Sequence, residues 1–319
     1  MKLIRDFLSN RRLAPASQSI PVVMILILIV SMTSGCQRKE APPPKLAADS
    51  AKTKAPPPPE HPWVILYSYT PIGKELIAGT KTTRDTVWEG REITEGAEFE
   101  PFVLANSGVG LANATATTQY LIDRYHPRGI IFCGIANAIN PEHRIGDICI
   151  PDHWITFDYG YWGDNGFLID SVSVGRPTAA GFDRMLDIPV DSALYATLGE
   201  AATGAAFRLR SVARRLPEVH RGGIGISGNA FIDNKGKREQ LAKQLKAQIT
   251  DTESAAVLQT AAAAGVPAIS LRACAAPAGE SGGVAAQAAL ADFFTAAGYN
   301  IALVVEQFLG VNPTIKTGS

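Results

Sequence analysis

One carboxylate in the sequence is difficult to explain as part of a hydrophobic core. We expect Glu253 to lie at the end of a buried strand, directly before residues 254–264, a small-residue segment with the pattern of a helix. Acidic side chains are almost never fully buried unless they are paired. A carboxylate can accept hydrogen bonds from hydroxyl groups and can exchange a proton. We therefore predict that Glu253 is the principal functional side chain of the protein.

A glycine-bearing turn is the second feature that could contact a ligand. Residues 107–110 (Ser-Gly-Val-Gly) lie between an apolar run and a helical pattern that begins at Leu111. Glycines allow the backbone to approach a ligand closely, and the free N–H groups at a helix start favour an anion or another polar group. The turn is neither a dinucleotide fingerprint nor a phosphate-binding P-loop. A purely structural turn is the alternative.

The elements that must position these residues follow from short apolar runs without polar alternation, which predict strands buried on both faces. The runs are residues 64–69, 102–105, 129–133, 147–151, 223–226 and 267–271. Helical patterns cover residues 111–125, 237–245, 254–264 and 284–309. This alternation predicts a single three-layer α/β domain with a mostly parallel central sheet, in which ligands gather at the carboxyl ends of the strands.

Residues 156–221 break this alternation with glycines, aspartates and aromatic residues, followed by a helix rich in alanine and arginine. We interpret the segment as an insertion over the site rather than as a second domain. The sequence contains no internal repeat.

The first 62 residues have the composition of a targeting signal followed by a linker. Basic residues precede the apolar run 22–32, and small residues then lead to Cys36, as in a secretory signal. The arrangement resembles a bacterial lipoprotein signal, although Thr33 stands where leucine is usual. The resemblance implies lipidation at Cys36, membrane attachment through that lipid and export to the periplasm or cell envelope. An uncleaved membrane anchor is the alternative, but the run is shorter than the roughly 20 residues that a spanning helix needs.

The predicted organisation is therefore a signal at residues 1–36, a linker at 37–62, one domain at 63–311 and a tail at 312–319. The linker is rich in proline, alanine and lysine and is expected to be an extended tether. A disordered tail without function is the alternative.

Charge and cysteine content exclude several classes of function. The formal net charge is zero and the domain has no long basic run, so nucleic acid is not an expected partner. Cys133, Cys149 and Cys274 lie in apolar runs, and three is an odd number for a disulfide framework. They are predicted to be buried thiols, and no Cys/His spacing indicates a metal or another cofactor.

A succession of motifs resembles the nucleoside phosphorylase and nucleosidase superfamily. The glycine turn is followed by a helix, by residues 127–136 ending in Cys-Gly-Ile-Ala, and by Ile-Gly-Asp-Ile at residues 145–148. Residues 227–232 (Ser-Gly-Asn-Ala-Phe-Ile) and 251–256 (Asp-Thr-Glu-Ser-Ala-Ala) resemble segments of the methylthioadenosine/adenosylhomocysteine nucleosidases. The ordered set is more specific than any one motif.

The resemblance implies roles for individual residues in binding a purine nucleoside. Phe231 would stack on the purine, and the backbone of Ile232 would read the edge of the base. Glu253 would accept hydrogen bonds from the ribose hydroxyls, with Thr252 packed beside the sugar. Other substrate-binding positions implied in the same way are Gly108, Val109, Ala136 and Arg272. Two alternatives stay open, in which Phe231 is a core aromatic residue and Arg272 forms a structural ion pair with Glu253 or Asp251.

Cleavage of an N-glycosidic bond requires an acid that protonates the leaving base. In the resembled nucleosidases this acid follows an Arg-Ala pair, and here Ala276 occupies its position. Alanine cannot donate a proton, so Glu280, Asp158 or a bound water would have to replace it. The resemblance also implies a carboxylate that activates the attacking water. Glu75 could fill that role if the preceding loop is longer, whereas Gly73 occupies the position if it is not.

The same motifs favour water over phosphate as the nucleophile. The turn at residues 133–137 has no arginine to hold phosphate, and Arg84 and Arg91 have no motif support. The resemblance thus implies a purine nucleosidase that forms a homodimer. The alternatives are a catalytically impaired nucleoside-binding lipoprotein of the same fold, or a scaffold without ligand affinity.

Overall fold

In the computed structural model of the chain, the structure describes residues 61–68, 70–78, 82–96, 101–178, 181–211, 215–277 and 283–310. The predicted signal, nearly all of the linker, Cys36, Glu280 and the tail lie outside these residues. Among the described helices, none is long and apolar enough to cross a membrane.

Sixteen strands and six α-helices make up the described domain. The helices are α1 (Thr70–Ala78), α2 (Leu111–Tyr125), α3 (Ser192–Ala205), α4 (Lys235–Leu245), α5 (Ser254–Ala264) and α6 (Gly283–Phe308). The strands are β1 (Trp63–Tyr67), β2 (Thr82–Trp88), β3 (Arg91–Gly96), β4 (Phe102–Asn106), β5 (Gly129–Ala138), β6 (Ile148–Ile150), β7 (His153–Thr156), β8 (Gly160–Gly163), β9 (Gly166–Ile169), β10 (Val172–Thr178), β11 (Gly181–Met185), β12 (Ile188–Pro189), β13 (Val219–Arg221), β14 (Ile224–Ser227), β15 (Ala247–Asp251) and β16 (Ala268–Pro277).

The predicted α/β domain is confirmed, and its central sheet is mixed. Strand β1 pairs in parallel with β4 and β5, and β5 pairs in parallel with β16. Strand β15 joins this group antiparallel to β5 and parallel to β14. At one edge, β3 and β2 continue the sheet in antiparallel order. The parallel pairs bring the carboxyl ends of β1, β4 and β5 to one edge, where a ligand site is expected.

The core is formed by the apolar runs of the central strands. The side chains of β1, β4 and β5 are almost completely buried, as expected for strands covered on both faces. Helices α1 and α3 pack against α6, whereas α2 packs against α5. These five helices therefore form two packed groups, whereas α4 packs against β15.

The prediction that residues 156–221 form an insertion is wrong in part. The segment contains two separate hairpins, β8 with β9 and β10 with β11, which lie outside the central sheet. However, β12 pairs with β7 and β13 pairs with β6, so both strands belong to the central sheet. Helix α3 also packs against α6. Part of the segment is therefore built into the domain.

Asp147, from the Ile-Gly-Asp-Ile motif, has a structural role. It is 1% exposed and accepts hydrogen bonds from His220 Nε2 at 2.9 Å, from the backbone N–H groups of Glu218 and Arg144, and from Arg215. Burial alone would raise its pKa, but these hydrogen bonds lower the pKa to about 2.

His143 stacks on His220 with ring centroids 4.3 Å apart. Burial, followed by repulsion from His220, lowers the pKa of His143 to about 4.

These pKa values predict that acid destabilises the fold through His143. The folded protein keeps this ring neutral below its ordinary pKa of 6.5, whereas the unfolded chain binds a proton there. This contribution of His143 to the free energy of unfolding is present above pH 6.5 and is lost as the pH falls towards 4. We expect a loss on the order of 3 kcal/mol across this window in urea denaturation, absent from His143→Leu. His153→Gln is the control, at a partly buried histidine that pairs with Asp152, and an equal decline in His143→Leu would contradict the assignment.

Candidate active site

A cavity of about 150 Å³ lies at the carboxyl ends of the central strands. Six of the residues predicted from the sequence line it together: Val109, Ala136, Phe231, Ile232, Thr252 and Glu253. They come from the segments that follow β4, β14 and β15 and from the end of β5. The topology thus brings the separate sequence motifs to one place, as expected for an α/β sheet.

The glycine turn contacts Glu253 directly. Gly108 and Gly110 have φ values of +72° and +92°, a conformation that side chains larger than glycine rarely adopt. The N–H of Gly110, at the start of α2, donates a hydrogen bond of 2.8 Å to Glu253 Oε1. The anion predicted at this helix start is therefore the protein's own carboxylate, and Gly108 itself is not part of the cavity wall.

Glu253 is a buried carboxylate with one oxygen held by the protein. The residue is 4% exposed, and Oε1 also accepts a hydrogen bond from the Thr252 hydroxyl. Burial and then repulsion from Asp251 raise the pKa of Glu253, against the opposing effects of Arg272, Thr252 and Gly110. Among the described residues, none donates a hydrogen bond to Oε2. This oxygen remains able to accept hydrogen bonds from a ligand.

Asp251 and Arg272 form a buried ion pair beneath Glu253. Arg272 is 0% exposed, and its Nη2 lies 2.9 Å from Asp251 Oδ2. Ser227 and Ser254 each donate a hydrogen bond of 2.5 Å to Asp251, and the N–H of Glu253 donates one of 3.2 Å. The structural ion pair with Asp251 is thus present. Arg272 is enclosed and does not line the cavity, so a contact between Arg272 and substrate stays a prediction.

Residue 134 has to be glycine because the side chain of Arg272 occupies the space that a Cβ atom would need. A Cβ atom at residue 134 would lie 1.5 Å from Arg272 Nη1, closer than any non-bonded contact allows. The guanidinium group also lies 3.9 Å from the centre of the Phe132 ring. The glycine of the Cys-Gly-Ile-Ala motif therefore makes room for the arginine that holds Asp251.

Phe231 and Ile232 line the same cavity as Glu253. Phe231 is 65% exposed, which excludes the alternative that it is a core aromatic residue. Ile232 is buried in a smaller hydrophobic cluster that includes Phe157 and Ile226. The exposed ring is thus held at the rim by a neighbour anchored in the core, and it is free to contact a planar ligand.

The motifs in this geometry match a known family. A sequence model of the Phosphorylase superfamily matches residues 68–310. The chain belongs to the Phosphorylase superfamily. The match includes every described residue of the cavity wall, from Ser68 to Glu253.

Several nucleosidases are relatives within this superfamily. The chain is 29% identical over 192 residues to the 5'-methylthioadenosine/S-adenosylhomocysteine nucleosidase of Mycobacterium bovis, a match covering 57% of this chain and 72% of the relative. It is 27% identical over 178 residues to the aminodeoxyfutalosine nucleosidase of Campylobacter jejuni, covering 56% and 69% respectively. The sequence is thus similar to nucleosidases with different named substrates.

Solved structures show the same fold. A mutant Helicobacter pylori nucleosidase with 5'-methylthioadenosine in its active site aligns with a TM-score of 0.64 at 18% identity, over 79% of this chain and 99% of that protein. The Streptococcus pneumoniae 5'-methylthioadenosine/S-adenosylhomocysteine nucleosidase, with a transition-state inhibitor, aligns with a TM-score of 0.62 at 21% identity, over 78% and 98%. At these identities the likeness establishes the fold.

The structure does not bring Glu75 to the site of this superfamily domain. Residues 70–78 form α1 instead of a longer loop, and the side chain of Glu75 faces Gly298 on α6. Glu75 is absent from the cavity wall, so the prediction that it activates water is corrected. Asp158 accepts a hydrogen bond of 2.5 Å from the Asn229 N–H, beside the loop that carries Phe231, but does not line the cavity.

Four polar residues of the cavity wall were missed by the sequence-based prediction of the site: Ser68, Asn137, Thr250 and Asp251. Ser68 directly follows β1, and Thr250 and Asp251 end β15, a strand that the apolar-run criterion did not detect. Asn137 follows the Cys-Gly-Ile-Ala motif by one residue, so its position in the turn was the available signal. Ala276 lies near the end of β16, as expected for a residue beyond the Arg-Ala pair.

Proposed function

We propose that the protein is a purine nucleosidase that hydrolyses the N-glycosidic bond of a nucleoside of the methylthioadenosine or adenosylhomocysteine type. The observation that supports this most strongly is that Glu253 and Phe231 line the same cavity. An exposed ring suits a purine face, and a carboxylate with a free oxygen suits the ribose hydroxyls. The nucleosidase relatives support the same class of reaction.

Glu253 assists the reaction because the sugar becomes positively charged as the bond breaks. Glycosidic cleavage passes through an oxocarbenium-like transition state, in which hydrogen bonds from sugar hydroxyls to the protein strengthen. The carboxylate of Glu253 would bind the ribose hydroxyls more strongly at that stage than in the bound substrate. Such differential binding accelerates the chemical step.

Water is the nucleophile that the cavity favours. Among the described residues that line it, none is arginine or lysine, and its charged side chains are Asp251 and Glu253. Two carboxylates do not attract phosphate, which in proteins is usually held by arginine or by N–H groups. The N–H of Gly110 is already bonded to Glu253.

A nucleoside-binding protein without turnover is the second candidate. Ala276 cannot donate a proton, and none of the described cavity residues is a carboxylic acid other than Asp251 and Glu253. Asp251 is engaged by Arg272, Ser227 and Ser254. General acid catalysis typically contributes about 10²–10⁴-fold in rate, so its loss could leave binding without turnover.

An assay of base release separates the two candidates. The purified protein is incubated with methylthioadenosine, adenosylhomocysteine, adenosine and inosine, with and without phosphate, and free base is measured. Release without phosphate supports the nucleosidase, whereas release only with phosphate contradicts the assignment of water. Saturable binding without release would identify the binding protein.

We also propose that the protein is exported and anchored by lipid at Cys36, and that it acts as a homodimer. The small residues before Cys36 and the proline-rich segment after it support the anchor.

We expect Cys36→Ser to move the protein from the membrane to the soluble fraction of cells, because one residue carries the attachment. Fractionation by immunoblot measures this, with Cys133→Ser as the control. Continued membrane attachment of Cys36→Ser would contradict lipidation.

A further inference from the structure

Asn137 is a polar residue of the cavity wall that the proposed mechanism has not used. It lies at the carboxyl end of β5 and is 8% exposed. In the part of the chain that the structure describes, no residue forms a hydrogen bond with its side-chain amide. The amide is not fully enclosed by protein and borders the open space of the cavity. A ligand in the cavity can therefore form a hydrogen bond with this amide.

The strand register places Asn137 beside the position of the missing acid. Ala136 pairs with Cys274, and Ala138 pairs with Pro277. Two steps along β5 therefore correspond to three steps along β16, which places one extra residue in β16 as a β-bulge. The bulge contains residues 275 and 276 and lies opposite Asn137. Asn137 thus lies on the neighbouring strand at the level of Ala276, where the resembled nucleosidases have their acid.

We propose that Asn137 donates a hydrogen bond to N7 of the purine and so replaces part of the function of the absent acid. This inference rests on the proposed nucleosidase function. The amide N–H group is a donor of the required kind, and Phe231 and Ile232 border the same cavity as the predicted binding residues for the base. A donor aimed at an atom that gains negative charge stabilises the transition state without transferring a proton.

The reaction then balances without a carboxylic acid. The bond between C1' of the sugar and N9 of the base breaks, and its electron pair remains on the base. The hydrogen bond from Asn137 to N7 stabilises the resulting negative charge. The oxygen of water bonds to C1' and the water loses one proton, while the departing base takes up one proton from solvent. Nucleoside and water thus yield free base and free sugar.

Binding of two free bases tests the hydrogen bond independently of turnover. Adenine has an acceptor at N7, whereas 7-deazaadenine has a carbon at that position and is otherwise alike. We expect Asn137→Ala to weaken the binding of adenine by about tenfold, the usual value of one hydrogen bond, and to leave 7-deazaadenine unaffected. Asn137→Leu provides a second variant, with a side chain of similar size but no donor. Calorimetric titration measures both bases.

Asn140→Ala is the matched control, because Asn140 bonds to Gln248 and is absent from the cavity wall. It should bind both bases as the unaltered protein does. Equal affinity for adenine in the unaltered protein, Asn137→Ala and Asn137→Leu would overturn the role of Asn137 and leave the proposed function standing. A failure of the unaltered protein to bind adenine, together with no base release, would contradict the proposed function and this inference together.

Discussion

Replacing Glu253 by glutamine should reduce the release of base from methylthioadenosine by at least about 10²-fold in kcat/KM. Glutamine keeps the size of the side chain but removes the negative charge beside the sugar. Hydrogen bonds to sugar hydroxyls that strengthen in the transition state supply several kcal/mol in glycoside cleavage, and each 1.4 kcal/mol corresponds to about tenfold in rate. Initial rates of base release over a range of substrate concentrations measure the effect.

Glu75→Gln is the control for this variant, since it makes the same chemical change outside the cavity. Its side chain faces Gly298 on α6 and does not line the cavity. We expect its base release to equal that of the unaltered protein. If Glu253→Gln retained full activity while Glu75→Gln lost it, the assignment of the site would be wrong and Glu75 would have to act by another route.

Replacing Arg272 by methionine should lower the free energy of unfolding by about 3–5 kcal/mol, the usual consequence of removing one partner of a buried ion pair. Methionine has no charge, so Asp251 would remain buried without its counter-ion. The hydrogen bonds from Arg272 Nε and Nη2 to Ser254 Oγ, at 2.9 and 2.7 Å, would be lost as well. Urea-induced unfolding at neutral pH measures the change.

The control is Arg184→Met, because Arg184 and Asp170 form an ion pair of 2.7 Å in which both side chains are at least 40% exposed. Exposed pairs of this kind contribute about 0–1 kcal/mol. A loss for Arg272→Met no larger than that for Arg184→Met would show that the buried pair does not hold the site. Loss of base release should accompany the instability, since Asp251 accepts a hydrogen bond from the Glu253 backbone.

Elements with strong periodicity and clear ends were predictable from the sequence. The predicted bounds of α2 and α5 agree with the structure at both ends. Helix α5 ends at Gly265, whose φ of +68° suits a left-handed C-cap. Helix α2 ends before Pro127, which cannot continue a helix. Local chemistry determines these ends, so a single sequence is enough to find them.

Other elements were missed because tertiary context decides them. The residues before Glu75 were expected to form a loop, yet residues 70–78 form α1, in which Pro71 is tolerated because it lies in the first turn. Gly73 lies against the Tyr67 ring, where a Cβ atom would come within 2.3 Å. Strand β15 alternates apolar and polar residues and so lacks the continuous apolar run of its neighbours.

The site was predictable where residue type alone carries the signal. Glu253 is a poor core residue by its type alone, whereas the role of Phe231 was implied by the family resemblance, and both residues line the cavity. Substrate binding by Arg272 was implied by the resemblance, and the alternative that the sequence left open, an ion pair with Asp251, is present in the structure. Asn137 was missed because its significance depends on the register between β5 and β16, a non-local property.

The most direct test of the proposed function is the origin of the oxygen in the sugar product. Methylthioadenosine is incubated with the purified protein in phosphate-free buffer made with water labelled with heavy oxygen, and the products are analysed by mass spectrometry. We expect free adenine and a sugar that carries one labelled oxygen at C1', in amounts that fall with Glu253→Gln. The absence of adenine, or its formation only after phosphate is added and with a sugar phosphate as the second product, would contradict the proposal.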